Sequence, residues 1–230
     1  MEVGSTHDLN QLSAELHVEL QQILRYWTMH TPDQVHGGFM GRIDVHNQVD
    51  ALADKGAVLN ARILWSFSSA FNAGLIQDLE MADRAYHYIV HHFLDQDFGG
   101  VYWSVDYLGN PKDTKKQVYA IAFTIYALAE YFVASGNELV KEHAILLYKD
   151  LVNYSHDRER GGYYEAFDRK WKVIKDLRLS EKDANEAKTM NTHLHVLEAF
   201  TNLYSIWPDD KLKLLIADLI VDFKVHIVDA

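Results

Sequence analysis

A histidine, an asparagine and an arginine are the residues of this sequence best suited to chemistry. Asn191 and His195 are four residues apart in a helical pattern, so they lie on one face of a helix. His195 follows Lys188 by seven residues. In an earlier helix, Arg62 follows Lys55 by the same interval. An imidazole transfers protons near neutral pH, and a guanidinium stabilises developing negative charge. We therefore expect Arg62 and His195 to share one cavity.

Each of these residues also has a simpler structural interpretation. Arg62 would ordinarily be a surface or ion-paired residue of an amphipathic helix, and Tyr119 a core aromatic. Asn191 and His195 could be a buried hydrogen-bonded pair. His193 projects about 200° away from His195 around the helix, which favours a structural histidine over a catalyst.

A repeat of glycine pairs reveals the elements that must position these side chains. A D-x3-GG-x5-D pattern occurs three times at intervals of 62 residues, which indicates an internal structural repeat. The glycine pairs are Gly37-Gly38, Gly99-Gly100 and Gly161-Gly162. The aspartates before and after them are Asp33, Asp95, Asp157, Asp44, Asp106 and Asp168. Aspartates that recur beside glycine pairs are most simply turn residues that bond the loop backbone.

Helical periodicity fills the sequence between the glycine pairs. Apolar residues recur at spacings of three and four, which predicts helices over 9–27, 52–72, 78–94, 115–134, 138–153, 186–205 and 210–226. After the second and third glycine pairs the pattern alternates instead, which predicts short hairpin arms. Each unit of 62 residues thus holds two helices and one hairpin-bearing loop.

Helix pairs with a long loop at one end form either an open solenoid or a closed α/α toroid. Six units of this period would need roughly 370 residues. We therefore expect an all-α fold of the (α/α)6-barrel type with short β-hairpin loops, of which this chain forms an open arc. The expected organisation is one partial domain over 1–230, with units near 1–74, 75–136, 137–205 and 206–230.

Composition narrows the classes of partner. The 230 residues include 33 acidic and 22 basic side chains, for a formal net charge of −11, and no basic run favours nucleic acid or a membrane surface. Cysteine is absent and no secretory signal is evident, so we expect a cytoplasmic protein. The apolar stretch 118–134 is predicted to be a buried helix. The 13 histidines lack metal-site spacing, and no phosphate- or dinucleotide-binding loop occurs.

Three segments resemble the cellobiose 2-epimerases, in the N-acylglucosamine 2-epimerase superfamily. The segment 179–199, read as LSEKDANEAKTMNTHLHVLEA, is similar to the signature of that family. The segment 55–68 is similar to the first inner helix of the family, and 117–131 to the second. The resemblance implies an (α/α)6 barrel that converts glucose to mannose at the reducing end of cellobiose or related β-1,4-linked disaccharides. It implies no cofactor and no metal.

The resemblance also implies roles for individual residues. Arg62 would stabilise an enediolate intermediate, and His195 would assist ring opening and proton handling. Asn191 and Tyr119 would bond sugar hydroxyls, and Asp183 would line the site. The acid and base histidines of the family belong to its later half. We therefore expect this chain to be an amino-terminal portion, catalytically incomplete, and of low stability or self-associating unless the complementary half is supplied.

Other functions remain compatible with the sequence. Within the superfamily, the activity could be that of a mannose isomerase or an N-acylglucosamine 2-epimerase. The chain could instead be a noncatalytic sugar-binding or helical scaffold. An inverting glycoside hydrolase would need two carboxylates about 6.5–9.5 Å apart across the cavity. No convincing acidic pair occurs on the predicted inner helices, so this class ranks last.

Overall fold

A computed structural model describes residues 6–228 of the chain, and within this range the predicted all-α pattern is confirmed. The helices are α1 Thr6–His30, α2 Ala57–Asn72, α3 Glu80–Tyr88, α4 Val118–Ser135, α5 Glu138–Ser155, α6 Met190–Ile206 and α7 Asp210–Asp222. Single turns of π-helix, Ile89–Phe93 and Phe223–Ile227, extend α3 and α7. Each predicted helix is present, with shifted ends.

The helices form two layers. Helices α2, α4 and α6 lie side by side as an inner wall, and α3, α5 and α7 pack behind them as an outer layer. Helix α4 is central, and its apolar residues are buried against neighbours on both sides. By length and composition α4 could cross a membrane, but 61% of it is buried inside the protein, as expected for a core helix.

Short strands connect successive units. The strands are β1 Arg42–Ile43, β2 Val49–Asp50, β3 Lys55–Gly56, β4 Ser104–Val105, β5 Pro111–Asp113, β6 Lys116–Gln117 and β7 Ala166–Phe167. Strand β3 pairs antiparallel with β4, and β6 with β7, so α2 and α4 are each preceded by a strand that joins the hairpin of the next unit. The first pair of strands, β1 and β2, forms a separate hairpin.

The structure corrects three predicted helix starts. The helices predicted from 52 and 115 begin at Ala57 and Val118, because the residues just before them form β3 and β6. The helix predicted from 186 begins at Met190, where the Thr189 side chain caps it by accepting a hydrogen bond from the Thr192 N–H.

The glycine pairs form the same turn in all three units. In the first unit the Asp33 N–H donates to the Gly38 carbonyl, and the Gly37 N–H donates to the Asp33 carbonyl. The Asp33 side chain accepts from the N–H groups of Val35 and His36. Both glycines have positive φ, which favours glycine over residues with a Cβ. The same backbone bonds occur at Asp95 and Asp157, which confirms that these aspartates are turn residues.

The turn aspartates have a second partner that the sequence analysis did not predict. A lysine that precedes each inner helix forms an ion pair with the aspartate of the same unit. The pairs are Lys55–Asp33 at 2.8 Å, Lys116–Asp95 at 2.8 Å and Lys188–Asp157 at 2.6 Å. The first two pairs are buried, whereas the Lys188 side chain is 27% exposed.

The ion pairs hold the carboxylates in their charged form. Burial acts to raise the pKa of Asp33, but hydrogen bonds from Lys55 and from backbone N–H groups outweigh it and lower that pKa. At Asp157 the hydrogen bond from Lys188 is the main cause of a lowered pKa. Lys55 and Lys188 also donate to the carbonyls of Gly37 and Gly161. Each lysine thereby joins the start of an inner helix to the turn of its unit.

The hairpin of the third unit covers the turn of the second. Arg169 donates two hydrogen bonds to the Asp95 carboxylate, at 2.9 and 3.0 Å. Trp171 donates from its indole N–H to the Phe98 carbonyl at 2.7 Å and stacks on Tyr154 with ring centroids 4.5 Å apart. These contacts connect adjacent units through polar groups that are themselves part of the repeated turn.

His193 is a structural residue, as the sequence analysis expected. Its Nδ1 lies 2.7 Å from the Thr189 carbonyl, and its Nε2 accepts from the Tyr163 N–H at 2.9 Å. A nitrogen that accepts an N–H bond carries no proton, so the ring is neutral with its proton on Nδ1. Burial lowers the pKa of His193, and it does the same for His143 and His156.

Two helices at the ends of the arc expose apolar side chains. On α1 these are Leu9, Leu12, Leu16 and Ile23, each more than two-fifths exposed. On α7 and the π-turn that follows it they are Leu214, Ile220, Val221 and Val225, each more than half exposed. Exposed apolar patches favour association. This exposure is compatible with the expected low stability or self-association, which stays a prediction.

Removing the lysine from a buried pair should destabilise the protein in proportion to burial. Lys55→Met leaves a buried carboxylate without its counterion and should lower the free energy of unfolding by about 3 kcal/mol. Lys188→Met should cost less, because that pair is partly solvated. The exposed pair Lys112–Asp54 provides the control, and Lys112→Met should cost about 0–1 kcal/mol. Urea unfolding measures all three, and equal losses for Lys55 and Lys112 would contradict the ranking.

The three histidines whose pKa is lowered by burial, His143, His156 and His193, should make the protein less stable in mild acid. Their pKa values are lower when folded than when unfolded, so the unfolded chain binds more protons below about pH 6.5. The unfolding temperature should therefore fall as pH is lowered from about 7.5 to about 5.5. His193→Gln removes one such group, so its unfolding temperature should change less with pH than that of the parent. His46→Gln, on an exposed hairpin tip, should leave the pH dependence unchanged.

Candidate active site

Four side chains from three inner helices meet on the inner wall. The Arg62 guanidinium of α2 lies over the ring of Phe123 on α4, 4.7 Å from its centroid. Its Nη2 is 3.4 Å from the Tyr119 hydroxyl, also on α4. The His195 ring of α6 lies 4.4 Å from the ring of Phe123 and 4.8 Å from that of Tyr119, centroid to centroid. The structure thus places Arg62, Tyr119 and His195 in one cluster.

The repeated lysine turn explains why these residues meet. Arg62, Phe123 and His195 each follow the lysine of their unit by seven residues. The ion pair holds each lysine against its own turn, and in every unit the inner helix begins two residues after that lysine. Equivalent positions on neighbouring inner helices then face one another, which the register of the sequence predicted.

A carboxylate completes the cluster. The Glu198 Oε2 lies 2.7 Å from Nδ1 of His195, one turn further along α6. Glu198 and Phe123 were not among the site residues predicted from the sequence. A signal for Phe123 was present, since it occupies the register position between Arg62 and His195. The i, i+3 spacing of His195 and Glu198 was the corresponding signal for the carboxylate.

The other two predicted residues make no hydrogen bond to this cluster within the described part of the chain. Asn191 is exposed on the first turn of α6, on the face of His195 by its spacing of four. Asp183 is exposed in the loop before α6, where its Oδ2 accepts from the N–H and the hydroxyl of Ser180, both at 2.8 Å. Among residues 6–228, neither side chain is hydrogen-bonded to Arg62 or His195. Their predicted roles stay predictions.

The loop that carries Asp183 is tied to the rest of the fold. The Asn185 side chain accepts from the Leu177 N–H and donates to the Lys175 carbonyl, which closes the loop on itself. Gln117, in β6, donates to the Arg178 carbonyl at 2.9 Å. The loop is therefore attached to the strand that immediately precedes α4.

Polar groups also join the inner helices toward their carboxyl ends. Glu130 of α4 accepts from Asn72 of α2 at 2.8 Å and lies 3.4 Å from the Asn202 amide of α6. Between this group and the cluster, Trp65 stacks on Tyr126 with ring centroids 5.2 Å apart. Burial, with the nearby Glu198 and Glu130 charges, raises the pKa of Tyr126. These contacts hold α2, α4 and α6 in register below the cluster.

The cluster contains groups for two kinds of chemistry. Arg62 and the Tyr119 hydroxyl can donate hydrogen bonds to a developing oxyanion, and His195 can transfer a proton. Within the part of the chain that the structure describes, no group of three metal-ligating side chains is close enough to hold an ion. The arrangement therefore offers groups for proton transfer and for stabilising negative charge.

Comparison with known proteins identifies the family of this chain. The family model described as N-acylglucosamine 2-epimerase (GlcNAc 2-epimerase) matches residues 37–228. A cellobiose 2-epimerase of Bacteroides fragilis is 50% identical over 220 residues, which are 95% of this chain and 56% of that protein. The structure of the cellobiose 2-epimerase of Spirochaeta thermophila superposes with a TM-score of 0.89 at 37% identity, over 96% of this chain and 55% of that one.

A more distant structure extends the likeness of fold alone. A D-mannose isomerase superposes with a TM-score of 0.73 at 20% identity, over 89% of this chain and 49% of its own. The chain thus spans about half the length of the relatives it matches. Its helix pairs correspond to part of an α/α barrel, which confirms the predicted fold class. On the family match, which covers most of its length, this chain belongs to the N-acylglucosamine 2-epimerase family.

Proposed function

We propose that this chain contributes Arg62, Tyr119 and His195 to the active site of a cellobiose 2-epimerase. The observation that carries the proposal is the cluster that these residues form on one inner wall. Identity of 50% to the Bacteroides fragilis cellobiose 2-epimerase supports the choice of substrate within the family. The substrate would be cellobiose or a related β-1,4-linked disaccharide, and its reducing-end glucose would become mannose.

The reaction exchanges the configuration at C2 without net loss of atoms. After the reducing-end ring opens, a base removes the C2 proton and the electron pair moves into a cis-enediolate. Negative charge then rests on the oxygen at C1. A proton returned to C2 from the opposite face gives the epimer. Arg62 would stabilise the enediolate oxygen, and removal of one such preorganised donor typically costs about 10²–10³ in kcat.

The remaining predicted residues would bind and prepare the sugar. His195 would assist ring opening and proton handling, and Tyr119 and Asn191 would bond sugar hydroxyls. Asp183 would line the site from the loop before α6. By the family resemblance, the acid and base histidines come from the later half of the enzyme. The partner of this chain would therefore be that complementary half, whose helices would cover the exposed apolar faces of α1 and α7.

The proposal is tested by joining this chain to the part of the Bacteroides fragilis enzyme that lies beyond its matched region. The joined protein should convert cellobiose to glucosyl-mannose, whereas the 230-residue chain alone should not. Arg62→Ala and His195→Ala should each lower kcat by about 100-fold or more. Product formation is measured by chromatography of the disaccharides, and folding of every variant by its unfolding temperature.

Matched controls separate chemistry from charge and folding. Arg25→Ala on α1 and His87→Ala on α3 remove the same side-chain types from exposed positions outside the inner wall, and both should retain full activity. Full activity of a folded Arg62→Ala variant would contradict its role. Preferred conversion of free mannose or of N-acylglucosamine would instead support the isomerase or N-acylglucosamine 2-epimerase alternative. A folded joined protein with no activity on any of these sugars would favour a scaffold.

A further inference from the structure

The two ring nitrogens of His195 have different surroundings. Nδ1 lies 2.7 Å from Oε2 of Glu198. Within residues 6–228, no group is hydrogen-bonded to Nε2. An ionised carboxylate can only accept a hydrogen bond, so the proton between the two groups belongs to Nδ1. In the neutral ring, Nε2 then carries the lone pair.

Aromatic neighbours restrict how the imidazole can turn. Tyr119 meets it nearly edge to face, at an interplanar angle of 84°, and Phe123 lies 4.4 Å away. The His195 side chain is only 15% exposed. Because both neighbours come from α4 while Glu198 is on the same helix as His195, the ring is held from two directions. The bond to Glu198 therefore determines which nitrogen faces away from α6.

Charged or hydroxyl groups from three helices lie around this imidazole. Arg62 of α2 is the cation, and it shares Phe123 with His195. Tyr119 and Tyr126 of α4 are the hydroxyl groups on that side, and Glu198 is the anion on α6. The cation and the anion beside the ring thus come from different helices.

His193, two residues earlier, differs in the hydrogen bonding of its ring nitrogens. Both of its nitrogens are occupied by backbone groups, Thr189 on one side and Tyr163 on the other. It has no nitrogen left for a ligand. His195 has one nitrogen held by a carboxylate and one without a protein partner among the described residues, which is the arrangement required to position an acid–base imidazole.

We infer that Glu198 is a positioning residue that fixes His195 as the Nδ1–H tautomer and leaves Nε2 as the atom that meets the sugar. The inference rests on the proposed function for the identity of the substrate. During ring opening, the C1 hydroxyl gives its proton to Nε2, its electron pair forms the carbonyl, and the C1–O5 bond breaks. O5 then takes a proton from the imidazolium, so that His195 returns to its starting state.

The tautomer can be measured in the 230-residue chain itself, without substrate. Long-range ¹H–¹⁵N NMR spectra of ¹⁵N-histidine-labelled protein distinguish a protonated from an unprotonated ring nitrogen, and loss of signals in His195→Asn assigns the residue. We expect the parent protein to show Nδ1 protonated and Nε2 unprotonated above neutral pH. Glu198→Ala removes the acceptor and should produce a mixture of both tautomers. Glu142→Ala, an exposed carboxylate on α5, should leave the spectrum of His195 unchanged.

The epimerase activity of the protein joined to the complementary half provides an independent test. Glu198→Ala should lower kcat about tenfold, shift the pH–rate profile and leave KM for cellobiose nearly unchanged, as when the partner of a functional histidine is lost. An Nε2–H tautomer in the parent, or an unchanged Nδ1–H tautomer in folded Glu198→Ala, would overturn the inference even if the epimerase activity is confirmed. Conversely, absent epimerase activity with the expected tautomers would refute the proposed function alone.

Discussion

The ion pair between the turn aspartate and the lysine before each inner helix is the contact on which the rest of the arc depends. A carboxylate inside protein is costly unless it is paired and hydrogen-bonded. Asp33 meets this requirement with Lys55 and two backbone N–H groups, and Asp95 with Lys116 and Arg169. Because the same pair recurs in each unit, the inner helices start from equivalent anchors.

The anchors also explain how neighbouring units recognise one another. The residues beside the lysines of the first two units lie in strands β3 and β6, which pair with the hairpins of the following units. From one of these hairpins, Arg169 donates a hydrogen bond to the turn aspartate of the preceding unit. Backbone pairing and charge pairing thus act at the same place. The ion pair at a turn is fully buried only where the hairpin of the next unit covers it. Lys188 is more exposed because, among the described residues, no further hairpin covers its turn.

The candidate site depends on these equivalent anchors of the inner helices. Phe123 lies between a guanidinium on one helix and an imidazole on another, and it contacts both through its ring. A cation over an aromatic face is favourable, which helps to hold Arg62 on the inner wall. Among the described residues, no acidic side chain is paired with it. Glu198 plays the corresponding part for His195 through a hydrogen bond. Further along the same helices, Glu130 joins α2 to α6 and keeps the three inner helices aligned.

The sequence by itself determined the repeat, the helices, the turn role of the aspartates and the alignment of Arg62, Phe123 and His195. These features are local: they depend on apolar periodicity, on the conformational freedom of glycine and on fixed intervals along the chain. Only the tertiary structure decided that Lys55 pairs with Asp33, 22 residues away, and that Arg169 reaches Asp95, 74 residues away. It also decided that Glu198, and not Asn191, bonds His195. Those partners depend on which surfaces pack together in space, and a charge in the sequence does not specify which of several opposite charges will share its desolvated pocket.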